Sequence, residues 1–450
     1  MTFNEFKDRL FKEAEKAGFS EYEIYFESGE SLDINAYKKE IDRYGLNKTM
    51  GISFRGLYNG KMGYAYTEIM DDEAVLLLVE QAKSNAEIIE KEDKEIIFGG
   101  SKSYKKFNGY NEELSKLKAE EKIKLALKLE EEIYKSSDRV INTGECSVGS
   151  QEGERRIINS KGLNLHNKSN IIFAVADAVT EQEGKVSTGL EFNITNNIKE
   201  INVNKIAKNS VEDALAYFRA ESVKSGKYRV IFRNSASAIM LQTFAGIFSA
   251  ENVQKGLSLL KDKGGEVIAS EALTIIDDPF VIGSMFSTPF DAEGVATMRK
   301  KVVDKGQLKT LLHNLKTAAK DGVESTGNGS KVSFSATVEV APTNLCIKPG
   351  AKSYEELVSA LEKGVIITEV EGTHAGANPI SGDFSLAAKG FLVENGKVVR
   401  PVEQITVAGN YYEVMKNIEE VGADVKISFP SNFICYSPSI IVKELSIAGE

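Results

Sequence analysis

Hydrophobic spacing changes character once along this chain, near residue 220, and no single motif constrains the fold as much. Upstream, apolar residues recur in helical stripes. Phe6, Leu10, Phe11 and Ala14 form one, behind Thr2-Phe3-Asn4-Glu5 with capping-box spacing and before Gly18. Ala74, Leu77, Leu78, Ala82 and Ala86 form a second behind Asp71-Asp72, and Leu117 to Ile133 and Ile206 to Phe218 give two more. The Lys and Glu lacing the third stripe suit a solvated outer face. Downstream of ESVKSGK (Glu221 to Lys227), YRVIF opens a buried strand and long helices become scarce. Short strands with Gly, Asn and Pro turns dominate Val267 to Glu450. Helices are expected only over Ala236 to Phe248, Leu308 to Ala319, Tyr354 to Lys363 and Tyr412 to Val421.

The pattern predicts an α+β protein. An N-terminal strands-and-helix domain spans 1–225, with sub-parts of about 1–100 and 110–225, and a strand-rich, barrel- or sandwich-like domain spans 226–450. At 450 residues the chain is too long for one ordinary core, which agrees. Within the first half, Tyr22 to Thr67 alternates, with Asn59-Gly60 set as a hairpin turn, and a charged linker KEDKE follows the second helix. Two strand pairs are expected further on: Thr143 to Ser150 with Glu154 to Asn159, and Gly162 to Asn167 with Asn170 to Thr180, the tetrapeptide Asn159-Ser160-Lys161-Gly162 turning between them. Tyr22 to Ala86 and Val140 to Phe218 both run strands then helix, which hints at duplication.

Composition removes several function classes. A formal net charge of -10 disfavours a non-specific grip on nucleic acid. The polar start MTFNEFKDRLFKEAEKAGF is unlike a secretory signal and no apolar run reaches membrane-spanning length, so a cytoplasmic protein with no membrane contact is expected. Cys146, Cys346 and Cys435 lack CxxC spacing and read as buried free thiols. There is no Gly-x-Ser-x-Gly elbow and no Walker loop. Asp277-Asp278 and Asp291 with Glu293 are carboxylate pairs, but their turn-rich surroundings favour bracing over acid–base work. His166, His313 and His374 are the only histidines and include no His-x-x-x-His pair, which leaves little to hold a metal; His374, in a glycine-rich loop, has the best chance of touching a ligand or partner.

That loop, Glu371 to Gly396, carries glycines at 372, 376, 382, 390 and 396 in front of a clean strand signal, with Asn378, Ser381 and Asp383 placed to brace turns. The segment resembles the Gly-x-Asn-x-x-(Ser/Thr)-Gly-(Asp/Lys)-Phe-Ser element of the TldD/PmbA family, and PVEQITVAGN at Pro401 to Asn410 looks like the family's next block. Further landmarks recur in the family's order: Lys255 to Ser258, Ile276-Asp277-Asp278-Pro279, Phe290 to Gly294, Gly306 with Leu308 and Leu312, Thr326-Gly327-Asn328 and Pro342-Thr343-Asn344. Arg43 to Thr67 and the Asn159 to Gly162 turn resemble it too. The likeness covers nearly the whole chain.

The family has two kinds of subunit. One is a metallopeptidase with a His-Glu-x-x-x-His helix and a later Cys as third ligand; the PmbA or TldE type lacks that set. Matched to the family, this chain places Gln242, Thr243 and Ile247 where the first His, the Glu and the second His stand, and the cysteine position falls near Asp424, with Cys435 too far on. An amide oxygen is a poor zinc ligand, Thr is no base near neutral pH and Ile has no lone pair. The resemblance therefore implies a chain with no catalytic or metal residues, whose zinc sits in a partner. It also implies pairing with a metal-bearing TldD-like subunit as a heterodimer, or with a second copy as a homodimer, and a peptide substrate. The loop at His374, Asn378, Ser381 and Asp383 is the expected peptide-binding or interface element, edge strands gripping an extended chain through main-chain bonds. Two other readings stand beside it: a stand-alone metallopeptidase, and a modulator of DNA gyrase.

Overall fold

The computed structural model describes residues 1–90 and 95–450, so Lys91 to Lys94 of the expected charged linker lie outside the described residues. Helix α1 (Phe3–Lys16) starts at the capping box of Thr2 and Glu5 and buries Phe6, Leu10 and Ala14. Strands β1 (Glu21–Tyr37), β2 (Glu40–Tyr58) and β3 (Lys61–Thr67) follow. Asn59 and Gly60 make the β2–β3 turn, both at positive φ (50° and 77°), as the sequence predicts. Helix α2 (Asp72–Ile88), capped by Asp71, then lies on β3. The approach is so close that a Cβ on Gly63 would stand 1.8 Å from the Ala82 carbonyl oxygen.

The next stretch repeats this plan. After the single turn α3 (Glu112–Ser115) come α4 (Ala119–Ser136), β4 (Val140–Asn159), β5 (Asn164–Gln182), β6 (Lys185–Thr195) and α5 (Val203–Leu215). A glycine again sits on the third strand, where a Cβ on Gly189 would meet the Ser210 carbonyl oxygen of the following helix at 2.2 Å. The six strands form one sheet in the order β3-β2-β1-β4-β5-β6, so the two units are mirrored about the β1–β4 seam. One core gathers Phe6, Ile24, Phe54 and Leu78 under α1 and α2, the other Ile34, Leu129, Val148 and Ile172 under α4 and α5. The two expected strand pairs are in fact two long single strands. Ser150 to Gly153 has turn chemistry, but β1 on one side and β5 on the other offer it ladders (Gly153 opposite Gly29 and Ser169), and the extended form wins. Strand β6 carries no clear alternation, its residues being mostly polar and half-exposed.

Past Gly226 the architecture changes. The elements are β7 (Gly226–Phe232), α6 (Asn234–Phe244), α7 (Ala250–Gln254), β8 (Ile275–Asp277), β9 (Lys300–Asp304), β10 (Gln307–Leu308) and α8 (Leu315–Asp321). Then come the small hairpin β11 (Gly329–Ser330) and β12 (Glu339–Val340), β13 (Asn344–Ile347), α9 (Tyr354–Leu361), β14 (Gly364–Glu371), α10 (Thr373–Gly376), β15 (Asp383–Glu394) and β16 (Lys397–Asn410). The chain ends with α11 (Tyr411–Lys416), β17 (Ile418–Val421), β18 (Lys426–Ile427), β19 (Ile434–Ser437) and β20 (Ile440–Ala448). Strands β16-β15-β14-β7-β20 close into a five-stranded barrel through the additional β16–β20 pairing. A second sheet runs β10-β9-β8-β13-β19-β18, and α6 packs into the core the two share, with Phe232, Leu241, Phe244, Ile367 and Val407 among its residues.

Two of the expected helices are shorter than their spacing predicts. Leu308 to Leu312 is extended, Leu308 in β10 and Leu312 bridged to Ser249; the helix begins only at Leu315, behind the Asn314 cap. The helix expected over Tyr412 to Val421 stops at Lys416, and Ile418 to Val421 pairs with β20. Ile418 and Val421 fit either period over so short a run, and the waiting strand edge decides.

Candidate functional site

Helix α6 carries two of the three positions, Gln242 and Thr243, at which the resemblance places the family's metal motif. Ile247, just past its end, is fully buried. Thr243 donates its hydroxyl proton to the Ile239 carbonyl one turn back, at 2.8 Å. Gln242 turns its amide nitrogen toward a loop, donating to the Phe429 carbonyl at 3.0 Å and the Ser431 hydroxyl at 3.2 Å. A zinc ion needs lone pairs converging on one point. Here one residue has none, one spends its proton on its own helix, and the third presents N–H groups. Asp424, at the matched cysteine position, accepts from the Ser439 backbone at 3.1 Å and hydroxyl at 2.6 Å. Its carbonyl accepts from Asn234, eight residues before Gln242 and so about 12 Å along the helix. Cys435 is buried, and burial lifts its thiol well above the usual range. The residues present do not fit the metal, and among the described residues no group of three His, Cys, Asp or Glu could hold one.

The loop pinned by Gln242 walls a cleft. Ser431 and Asn432 stand on one side, Tyr25, Ser28 and Thr49 of the N-terminal sheet on the other, around about 360 Å³. Family landmarks far apart in sequence meet beneath it. Asp277 accepts from Lys300, Asn328 and both the backbone and hydroxyl of Thr343, each at 2.8 Å. Its full set of partners makes it a structural node, as the bracing interpretation of the carboxylate pairs requires. Asp291 accepts from the backbone of Glu293, Val295 and Gly329, and Glu293 caps Leu315 at 2.7 Å. Burial pushes both carboxyls up; for Glu293 the neighbouring Asp291 adds to it.

Sequence reasoning missed Lys331. It projects from the excursion between β11 and β12 onto the N-terminal sheet, donating to Ser53 at 2.9 Å, to the Phe334 carbonyl at 3.0 Å and to the Tyr64 hydroxyl. Its ammonium lies over Tyr25 and Tyr64, 4.5 and 4.8 Å from the ring centroids. Burial first, then the Arg55 charge, pushes this amine down to about 7. No motif marks it; the signal is only its place three residues after Thr326-Gly327-Asn328.

The glycine-rich loop is built elsewhere, at the barrel rim. Asn378 accepts from the backbone of Ile380 at 2.9 Å and Ser381 at 3.2 Å, Ser381 accepts from Asp383, and Asp383 accepts from Asn410 at 2.8 Å. The Asn410 amide and the Ser381 hydroxyl hold the Asp383 carboxyl below its ordinary value. Gly382 sits at φ +83°, where a Cβ would also meet Tyr412 at 2.6 Å. The structure thus brings Asn378, Ser381 and Asp383 into one braced turn. His374 stands exposed on α10, and none of the four lines the cleft.

A mirrored six-stranded sheet, a closed five-stranded barrel and a second sheet, with a cleft between them, define the class of molecule. Sequence profiles of the PmbA/TldA metallopeptidases match its parts: domain 1 over residues 22–86, the central domain over 112–217 and the C-terminal domain over 225–449. The chain belongs to the PmbA/TldD metallopeptidase family. It is 28% identical over 338 residues to the metalloprotease PmbA of Escherichia coli O157:H7, covering 74% of this chain and 70% of that one. A solved protein of Thermotoga maritima, named as a candidate modulator of a DNA gyrase, superposes at TM-score 0.91 with 38% identity over 99% of this chain and 100% of its own. TldE from Thermococcus kodakarensis shares the fold at TM-score 0.89 and 24% identity, with 99% and 100% covered.

Proposed function

We propose that this chain is the non-catalytic, substrate-gripping subunit of a two-subunit peptidase, pairing with a metal-bearing TldD-like relative that supplies the zinc. The substrates on this reading are unfolded or modified peptides, held extended while the partner cuts them. One observation carries it: the helix that bears the family's metal motif spends Gln242 on pinning the 429–433 loop and buries Ile247. The side chains of Gln242, Thr243 and Ile247 are unsuited to hold a metal that would lower the pKa of an attacking water, and Thr243 is no base for it near neutral pH. The cleft beside that loop mixes glycines and polar residues such as Gly29, Gly153 and Asn328 with apolar ones such as Met285 and Phe286, which suits an extended peptide held by its main chain and by apolar side chains.

The test is a cleavage assay on an unstructured peptide, run with this chain alone, the TldD-like relative alone, and the two mixed. The reading expects no cleavage by this chain alone and faster cleavage by the mixture than by the relative alone. Cleavage by this chain alone, lost on chelation, would revive the stand-alone peptidase.

A further inference from the structure

The floor of the cleft has an open end and a blind one, and the alternation of β4 shows which is which. Gln151, Gly153, Arg155 and Ile157 follow one another on the same face of that strand, and the first three line the cleft. Gln151 is exposed, whereas Ile157 is fully buried in a small core with Tyr25, Leu163, Phe290 and Ala292. Between them Gly153 stands directly opposite Gly29 of β1. Neither glycine has a positive φ, and a Cβ on Gly153 would meet nothing nearer than the Ser28 carbonyl oxygen at 3.4 Å. Packing therefore does not demand a glycine at 153. What the pair provides is a floor free of side chains, on which another backbone can lie.

A chain entering over the glycines runs into Arg155. Its guanidinium is held in place: Nη2 donates to the Thr288 hydroxyl at 2.6 Å and the Phe290 carbonyl at 2.9 Å, and the group lies 5.2 Å from the Phe290 ring centroid. Among the described residues it makes no ion pair, and its buried Nε has no partner. The nearby carboxylates are engaged elsewhere. Glu27, opposite it on β1, accepts from the Tyr25 hydroxyl at 3.0 Å, and Asp291 accepts from three backbone N–H groups. Lys331, over the Tyr25 ring, likewise makes no ion pair among the described residues. A fixed, partly desolvated cation without a counter-ion favours an incoming anion. A blind end excludes the middle of a chain, so the anion that fits is the one at a chain's end. We propose that the cleft takes a peptide by its C-terminal carboxylate, the last residues lying over Gly29 and Gly153 and the carboxylate meeting the Arg155 guanidinium. This rests on the substrate-gripping reading and adds to it which end of the substrate is held.

Binding of one short unstructured peptide to the full-length chain tests it, the peptide carrying a dye at its N-terminus and made with either a free C-terminal carboxylate or a C-terminal amide. Fluorescence anisotropy is expected to show the acid binding the wild type about tenfold or more tighter than the amide. In Arg155→Gln the acid should bind no better than the amide. Gly153→Val, which fills the floor, should weaken both forms. An amidated peptide with an internal Glu distinguishes a side-chain carboxylate from a terminal one, and it should bind as weakly as the plain amide. Each opposite result overturns the proposal: no preference for the acid by the wild type, including no binding of either form; a preference kept in Arg155→Gln; undiminished binding by Gly153→Val; or tight binding of the Glu-bearing amide. Faster cleavage by the mixed subunits, found together with no preference for the acid, would sink this inference and leave the substrate-gripping reading standing.

Discussion

At the scale of single residues, ionisable groups in and beneath the cleft are shifted from their ordinary protonation. The Glu293 carboxyl is raised by burial and by Asp291, so the folded chain holds a proton that the unfolded chain releases. A raised carboxyl gives stability that is present at low pH and lost as pH rises out of the ordinary carboxylate range, about 4, through its folded value. The wild type is therefore expected to melt at lower temperature at pH 8 than at pH 5. Glu293→Gln should flatten that slope, keeping the cap on Leu315 through its amide oxygen; thermal melts across the pH series check it. Lys331 acts in the opposite sense. Its amine is lowered to about 7 by burial, so its penalty is full below that pH and is relieved as pH rises toward the free-lysine value. Lys331→Met should remove that rise, and by withdrawing the donor from Ser53, Tyr64 and the Phe334 carbonyl it should cost about 1–3 kcal/mol at neutral pH. Neither group was legible as a titrating site in the sequence. Glu293 looked like turn bracing, which it is, and Lys331 has no local pattern because its partners Ser53 and Tyr64 come from the other half of the chain.

At the scale of elements, the sequence was read best where a segment's own chemistry settles its form. The Thr2 capping box, the Asn59-Gly60 turn and the α2 stripe at Ala74, Leu78, Ala82 and Ala86 fold as their spacing dictates, while Leu77 of that stripe faces solvent. It was read worst where a neighbour decides. Ser150 to Gly153 stays extended because two strands flank it, and Ile418 to Val421 joins β20 although its spacing also suits a helix. The braced turn of Asn378, Ser381 and Asp383 was visible as turn chemistry, whereas its anchor Asn410 comes from the far end of β16. The glycines of the third strands make the sharpest test of the duplicated plan. Gly63→Ala and Gly189→Ala each push a methyl into helix backbone, and each should cost about 1–3 kcal/mol or more in a denaturant titration. The same change at Gly162, where a Cβ meets nothing within 4 Å, carries only the strain of φ +90° and should cost less.

At the scale of the whole molecule, the loop that Gln242 pins contributes Ser431 and Asn432 to the wall of the cleft. Gln242→Ala removes the bonds to Phe429 and Ser431 and should cost about 1 kcal/mol while freeing the loop, measurable as faster amide exchange over residues 429–433. Placing His at Gln242 and Ile247 and Glu at Thr243 should still give no tight site, because Ile247 is buried in the core and the chain to Asp424 lies a helix length away. The central claim concerns what the unaltered chain can hold. Elemental analysis of the purified chain, after dialysis against zinc and then against buffer, addresses it most directly. The account predicts far less than one zinc per chain; one tightly held zinc per chain, lost when Gln242 is replaced, would contradict it.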